Sequence, residues 1–265
     1  MRLMPKVVAL GLVAVFAQSS ASAQSGSGRP QLHVGTAYSS CYFELHSELT
    51  KGEFAEFAGE LGAIMRPSQL GDTNTIGTHR FDVSLQYTST RIDDSKGAWN
   101  NTMSHPTADH YLGQSIALPR VVVRFGVSDR VDIGASGTLN PQSNYGVVGV
   151  DAKIALLRQG PDWPVTVSIR PSLSSLVGPS DVWAGNTSVD LSVGRAFGAL
   201  APYVGVTASS LLAVERTSAL DLDPATAEDA IAYAGVAYRW RRLIAAAEVE
   251  KGDLTRYGFR LGTQF

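Results

Sequence analysis

The side chains best equipped for chemistry are charged residues set singly among apolar neighbours. They are Asp82, Arg120, Arg124, Asp132, Asp151, Lys153, Arg170, Asp190, Arg239, Glu248, Glu250, Arg256 and Arg260. Acids and bases are nearly balanced in this set, so opposite charges facing one another across a narrow space can pair. Buried charges require such pairing. A smaller group, Ser104, His105, Asp109 and His110, contains the components of a hydrolytic site. Crowding in one loop does not fix their geometry, and no catalytic residue is expected from them. His105 and His110 lack a further ligand in phase, so no metal is expected. No phosphate loop, zinc pattern or dinucleotide fingerprint occurs, and no cofactor is expected. The single cysteine, Cys41, cannot form an internal disulfide. His33 and His46 lie near it in sequence but match no catalytic spacing.

Most of those charges sit in segments of period two, the signature of strands whose faces differ. Phe81, Val83, Leu85 and Tyr87 alternate with Asp82, Ser84, Gln86 and Thr88 in a strand over about 79–91. The pattern recurs around Val121–Phe125, Val131–Leu139, Val148–Leu156, Val165–Ser174, Ser188–Gly194, Tyr203–Ala208, Ala232–Trp240, Leu243–Glu250 and Arg256–Phe265. In each, one row is apolar and the other carries Ser, Thr, Gly or charge. The expected fold is all-β, an antiparallel barrel of about ten strands over residues 79–265. Twelve strands would require residues 32–65 to be sheet. Connections after the first, third, fifth and seventh strands read as longer than those after the second, fourth, sixth and eighth.

Residues 32–65 argue against sheet. Thr50 and Glu53 have capping-box spacing. Phe54, Phe57, Leu61, Ile64 and Met65 follow at helical spacing, and Pro67 stops the run. The spacing predicts an amphipathic helix over about 51–65. An apolar helical face must cover something, and residues 24–78 are read as a plug helix with its linker, filling the lumen or lying under the periplasmic mouth in preference to docking on a partner.

The start of the chain supplies the compartment. Arg2 and Lys6, the apolar run Val7–Phe16 and the small residues Ala21-Ser22-Ala23 form a secretory signal peptide over residues 1–23, cleaved near Ala23. No later stretch is apolar enough for a spanning helix. Net charge is −2 with 17% charged residues, which offers no basic surface for nucleic acid.

The final stretch, with Tyr257, Phe259, Leu261 and the terminal Phe265 on one face, resembles the closing strand of Gram-negative outer-membrane β-barrels, whose insertion signal has this form. The resemblance implies a transmembrane barrel in the cell outer membrane, surrounded by lipid and recognised through this strand by the barrel-assembly machinery. A soluble lipocalin-like barrel would instead place its apolar row inside. Residues 53–92 (Glu-Leu-Gly-Ala-Ile-Met-Arg-Pro, then Phe-Asp-Val-Ser-Leu) also look like a group of uncharacterised, porin-like outer-membrane barrels in which a short helix precedes the barrel. A plug before a barrel is likewise reminiscent of the fatty-acid transporter family, whose members are far longer. The implied function is a narrow passive or gated pore for an unidentified small solute, or a structural membrane protein, and not an enzyme. The alternatives are an outer-membrane enzyme acting on lipid and a loop-mediated binding or adhesion protein.

Overall fold

The computed structural model describes residues 33–265. The expected signal peptide, residues 1–23, and residues 24–32 after it lie outside the described residues. In chain order the elements are β1 (Tyr42–Phe43), α1 (Lys51–Met65), β2 (Phe81–Arg91), α2 (Gly97–Asn100), β3 (Met103–Ser104), β4 (Ser115–Ser128), β5 (Val131–Leu139), β6 (Gly146–Leu157), β7 (Thr166–Val177), β8 (Val182–Gly194), β9 (Leu200–Glu215), β10 (Ala225–Trp240), β11 (Leu243–Lys251) and β12 (Thr255–Gln264). Ten of the strands, β2 and β4 to β12, close an antiparallel barrel in which each pairs with its chain neighbour and β12 returns to β2. The alternation of apolar and polar residues produces it. A sheet with one apolar and one polar row per strand has two unlike faces, and closure leaves no unpaired edge.

Ten strands is the expected number, and the twelve-strand alternative does not form. The two-residue strands β1 and β3 pair with each other outside the barrel, Tyr42 opposite Ser104 and Phe43 opposite Met103. The stretch from Ile92 to about Ser115, with Trp99 among asparagines and histidines, reads in the sequence as a long polar loop, but it holds α2 and β3. β10 begins at Ala225, inside what reads as an acidic loop, because the run Ala225–Asp229 is paired to Ala213–Ser209. The alternation of connection lengths is also imperfect, since 158–165 is longer than 178–181. The tight connections 129–130 and 241–242 lie at one end, the short-turn end, together with Phe81 and Phe265, whose backbones bond each other at 3.2 and 2.8 Å. The other end, carrying 92–114, 140–145 and 216–224, is the long-loop end.

The registers fix the barrel's width. A walk across paired residues from Glu228 passes Ser210, Thr187, Leu173, Val150, Ala135, Val123, Val83, Thr263 and Leu243, and returns to β10 at Trp240, twelve residues further on. With about 3.3 Å per residue and about 4.8 Å between strands, that stagger tilts the strands by about 40° and gives a backbone radius of about 10 Å. An α-helix with its side chains is about 10–12 Å across. The lumen therefore admits one helix where the wall residues are small.

One helix is there. α1 starts at the expected capping box: Glu53 N donates to Thr50 Oγ1 at 3.2 Å and Thr50 N to Glu53 Oε2 at 2.9 Å. Phe54, Phe57, Leu61, Ile64 and Met65 are all buried. They pack inside the long-loop end among Ala184, Ala213, Ala225, Val147, Leu176, Val182 and Leu211. Residues 33–50 and the first long loop close over the helix. Phe57 meets Trp99 edge-on at 5.2 Å, and Phe43 meets Phe57 at 5.8 Å and Tyr145 at 5.0 Å. Trp99, expected in a polar loop, is 1% exposed and donates through Nε1 to Glu60.

From Arg66 the chain descends the lumen without regular structure and emerges at the short-turn end before Phe81. Its exit depends on Gly126: a Cβ built there would stand 1.8 Å from the carbonyl oxygen of Gly77. His79 N and Gly126 N donate to the oxygens of Gly126 and Arg80 at 2.8 and 2.9 Å, which clamps the exit. Gly126→Ala is expected to destabilise the folded protein by about 1–3 kcal/mol, the usual cost of overpacking. Gly137→Ala, at a position with nothing within 4 Å of the added atom, is expected to be silent. Urea unfolding of the two variants in detergent micelles checks this.

Candidate functional site: a filled, ion-paired lumen

The charged residues singled out by the sequence project into the lumen. Their partners belong mostly to the chain descending through it, in three tiers.

At the C-terminus of α1 the last carbonyls have no helical partners. Arg120 donates to the oxygens of Ile64 and Met65 at 2.8 Å and of Arg66 at 3.0 Å. Arg256 donates to the oxygens of Ala63 and Arg66, both at 2.8 Å. Two guanidinium groups thus cap the negative end of the helix dipole. Arg256 also forks onto both oxygens of Glu250 at 2.8 Å, and Arg66 meets Glu250 at 2.5 Å. Ser68 Oγ adds a third donor to Glu250 at 2.6 Å. Arg170 holds the oxygens of Ser68 and Pro67 at 2.9 and 3.3 Å.

In the middle tier Glu248 accepts from Leu70 N at 3.0 Å, and Tyr203 OH accepts from Gly71 N at 3.2 Å. Arg260 donates to Leu70 O at 2.9 Å and pairs with Asp82. In the third tier Lys153 donates to Asp72 O at 2.8 Å and Arg239 pairs with the Asp72 carboxylate at 3.1 Å. Asp132 accepts from Ile76 N at 3.0 Å. Arg124 and Asp151 pair across the wall at 2.6 Å. Asp190 accepts from Thr207 Oγ1 at 3.0 Å within the wall.

The sequence identified the wall charges but not their partners. Arg66, Ser68, Asp72 and the backbone of Leu70, Gly71 and Ile76 lie in a stretch without periodicity. The sequence cues there are Arg66 and Asp72, beside the breakers Pro67 and Gly71.

The second candidate group comes apart. Cys41, not a neighbour in the loop, holds His105: Sγ lies 3.0 Å from Nδ1 although the two are far apart in sequence. Burial pushes the Cys41 thiol up to about 12 and the His105 imidazole down to about 4. Both are neutral at pH 7, so this is no activated thiolate. Ser104 Oγ donates to Glu44 Oε2 at 2.6 Å and lies 2.9 Å from His46 Nε2. The hydroxyl sits between acid and imidazole, whereas a hydrolytic relay needs the imidazole in the middle. Asp109 is exposed and His110 half-buried in the same loop. His33 stacks on His46 with centroids 3.4 Å apart. Burial, then the neighbouring His33, lowers the pKa of His46.

Outside, the barrel is apolar. Val83, Leu85, Val121, Val123, Val150, Leu173, Val204, Val206 and Leu261 are exposed on its outer face. Tyr257, Phe259 and Phe265 of the expected insertion signal stand on that face too. Trp163, Phe197 and Trp240 are exposed at the short-turn end, as in an interfacial aromatic girdle. A closed barrel with an even strand number, an apolar band and a polar interior is built to face hydrocarbon. Its architecture is that of a transmembrane β-barrel.

No family model and no curated protein matches the chain. Solved structures that it resembles include the outer-membrane protease OmpT from Escherichia coli, at 10% identity over 76% of this chain and 100% of that one, with a TM-score of 0.36. Ail, the attachment invasion locus protein of Yersinia pestis, matches at 11% identity over 71% of this chain and 99% of that one, with a TM-score of 0.32. The N-terminal β-barrel domain of Pseudomonas aeruginosa OprF matches at 16% identity over 71% and 99%, with a TM-score of 0.31.

Two expectations follow. Glu250→Ala leaves Arg66 and Arg256 buried without their carboxylate, which should cost about 3–5 kcal/mol. The loss should appear first as lost hydrogen-exchange protection across residues 63–72. Lys51→Ala, which removes an exposed pair with Asp223, should leave that protection unchanged. The second concerns pH. The folded state holds His105 well below its ordinary value of 6.5, so the unfolded cap binds more protons between pH 6.5 and 4. The stabilisation is complete above 6.5 and is lost as pH falls to about 4, by about 3 kcal/mol in all. Hydrogen exchange of residues 34–46, corrected for its intrinsic pH dependence, should accelerate over that window in the native protein and not in His105→Gln.

Proposed function

We propose that the protein is a gated outer-membrane pore held closed by its own residues 51–80. The observation that carries this reading is where the lumen charges find their partners. A barrel serving only as a membrane anchor can pair its interior charges wall to wall, as Arg124 and Asp151 do. Here Arg120, Arg170 and Lys153 bond the backbone of the descending segment, and Arg239 pairs with its Asp72. A wall of about 10 Å radius lined with such groups becomes an aqueous, charged channel once that segment leaves. Both cations and anions line it, which suits small polar or zwitterionic solutes better than ions of one sign.

The orientation follows from the turns. Tight turns face the periplasm in barrels of this kind, which puts residues 33–50 and α1 at the cell surface. Enzymatic activity is the weaker reading, because the Ser104 and His105 groups are committed to partners that leave neither as a nucleophile or general base.

Planar-bilayer conductance of the refolded full chain and of a chain lacking residues 24–78 tests the proposal. Expected are rare openings from the full chain and steady channels from the shortened one. Heat-shifted gel mobility confirms that each barrel is folded. Silence from a folded, shortened barrel sinks the transport reading.

A further inference from the structure

We propose that His33, His46 and Glu48 form a divalent transition-metal site that latches the cap over the long-loop end. One nitrogen of each imidazole and a carboxylate oxygen of Glu48 lie within 4.8 Å of one another. Two imidazoles and a carboxylate are the ligand set of zinc and of Cu(II) or Ni(II), and not of calcium or magnesium, which take oxygen ligands. Three protein ligands leave a fourth position for water.

The surroundings are those of a supported site. His33 Nε2 faces Asn101 Oδ1 at 3.5 Å and His46 Nε2 faces Ser104 Oγ at 2.9 Å. Ser104 in turn is fixed by Glu44 at 2.6 Å. Outer partners of this type set the orientation of metal-binding imidazoles. The rings stack nearly parallel, 11° apart, so their lone pairs do not yet converge. Binding requires one ring to swing about its terminal torsion, which is soft for histidine. Both rings are only half-buried and Glu48 is exposed, so the site is open to solvent on one side.

The position gives such a site a consequence. His33 is anchored where the cap begins: His105 N donates to its oxygen at 2.8 Å, and Gly35 N donates to His105 O at 2.9 Å. His46 and Glu48 lie just before α1. A metal would join the start of the cap to its end, around the strand pair that carries Phe43 over the helix. A ligand that binds only the closed form stabilises it by mass action. This inference does not require that the lumen conduct.

The experiment titrates the refolded full chain with Zn²⁺ by calorimetry in detergent, and follows modification of Cys41 by a thiol reagent. One equivalent is expected to bind. It should slow Cys41 modification several-fold, and EDTA should reverse the effect. His46→Ala and Glu48→Gln should each weaken binding at least tenfold. Glu48 is exposed, so the second variant remains informative if the first fails to fold. Cys41→Ser should bind as the native chain does, which separates this site from a thiolate ligand. No binding, or binding unaffected by His46→Ala and Glu48→Gln, overturns the site. Binding without slower Cys41 modification overturns the latch.

Discussion

A charge removed from water must be paired or it cannot stay, and in this barrel that requirement joins two parts of the chain with no local reason to meet. Glu250 on β11 takes Arg256 from β12 and Arg66 from the descending segment at once. Neither the wall nor the segment is electrically complete alone. Desolvation of a single guanidinium costs several kcal/mol even after relaxation, so a filled, water-free interior is tolerable only when both are in place. The segment completes the lumen in the sense that a partner strand completes a sheet.

Strand number and stagger decide what can do the completing. Fewer strands would leave room for side chains alone, and more would leave a water channel around any single helix. At about 10 Å radius the space fits one helix if the wall beside it is small. Ala184, Ala213 and Ala225 are the small wall residues, and Gly62 of the helix approaches Leu211. Below the helix the wall side chains are longer: Arg170, Lys153, Arg260 and Tyr203 reach inward to a thinner, irregular backbone. Wall side-chain size thus follows the thickness of what passes through.

The barrel and the helix were legible because each repeats a local rule many times. Ten stretches of period-two alternation and one capping box with five apolar residues at helical spacing are redundant signals. The descending segment was not legible, since Ser68, Leu70, Asp72 and Ile76 bond to residues far away in sequence and leave no period. The cap was hidden for a different reason. Cys41 and His105 meet only because β1 pairs with β3, and a two-residue strand carries no pattern. Trp99 read as a loop residue because its neighbours are polar, yet burial against Phe57 and a bond to Glu60 determine its place. Wall charges could be named from the sequence, but the groups that satisfy them required the fold.

On the proposed gating, release of the helix is not gradual. Arg120 and Arg256 grip consecutive carbonyls of a single helical turn, and Arg256 also holds Glu250, so slipping the helix by one residue breaks the tier without forming another. Packed, ion-paired elements of this kind have discrete states rather than a continuum. Direction is constrained as well. Toward the short-turn end, α1 would have to drag the cap and its β1–β3 pairing through the barrel. Toward the long-loop end, nothing need be threaded. Residues 66–80 extend at most roughly 50 Å, enough to tether a released helix outside the long-loop end while still crossing the lumen. On the gating proposed above, the intact chain would keep a strand of backbone in the lumen after the helix leaves, bearing Asp72 and Asn74 among the wall cations.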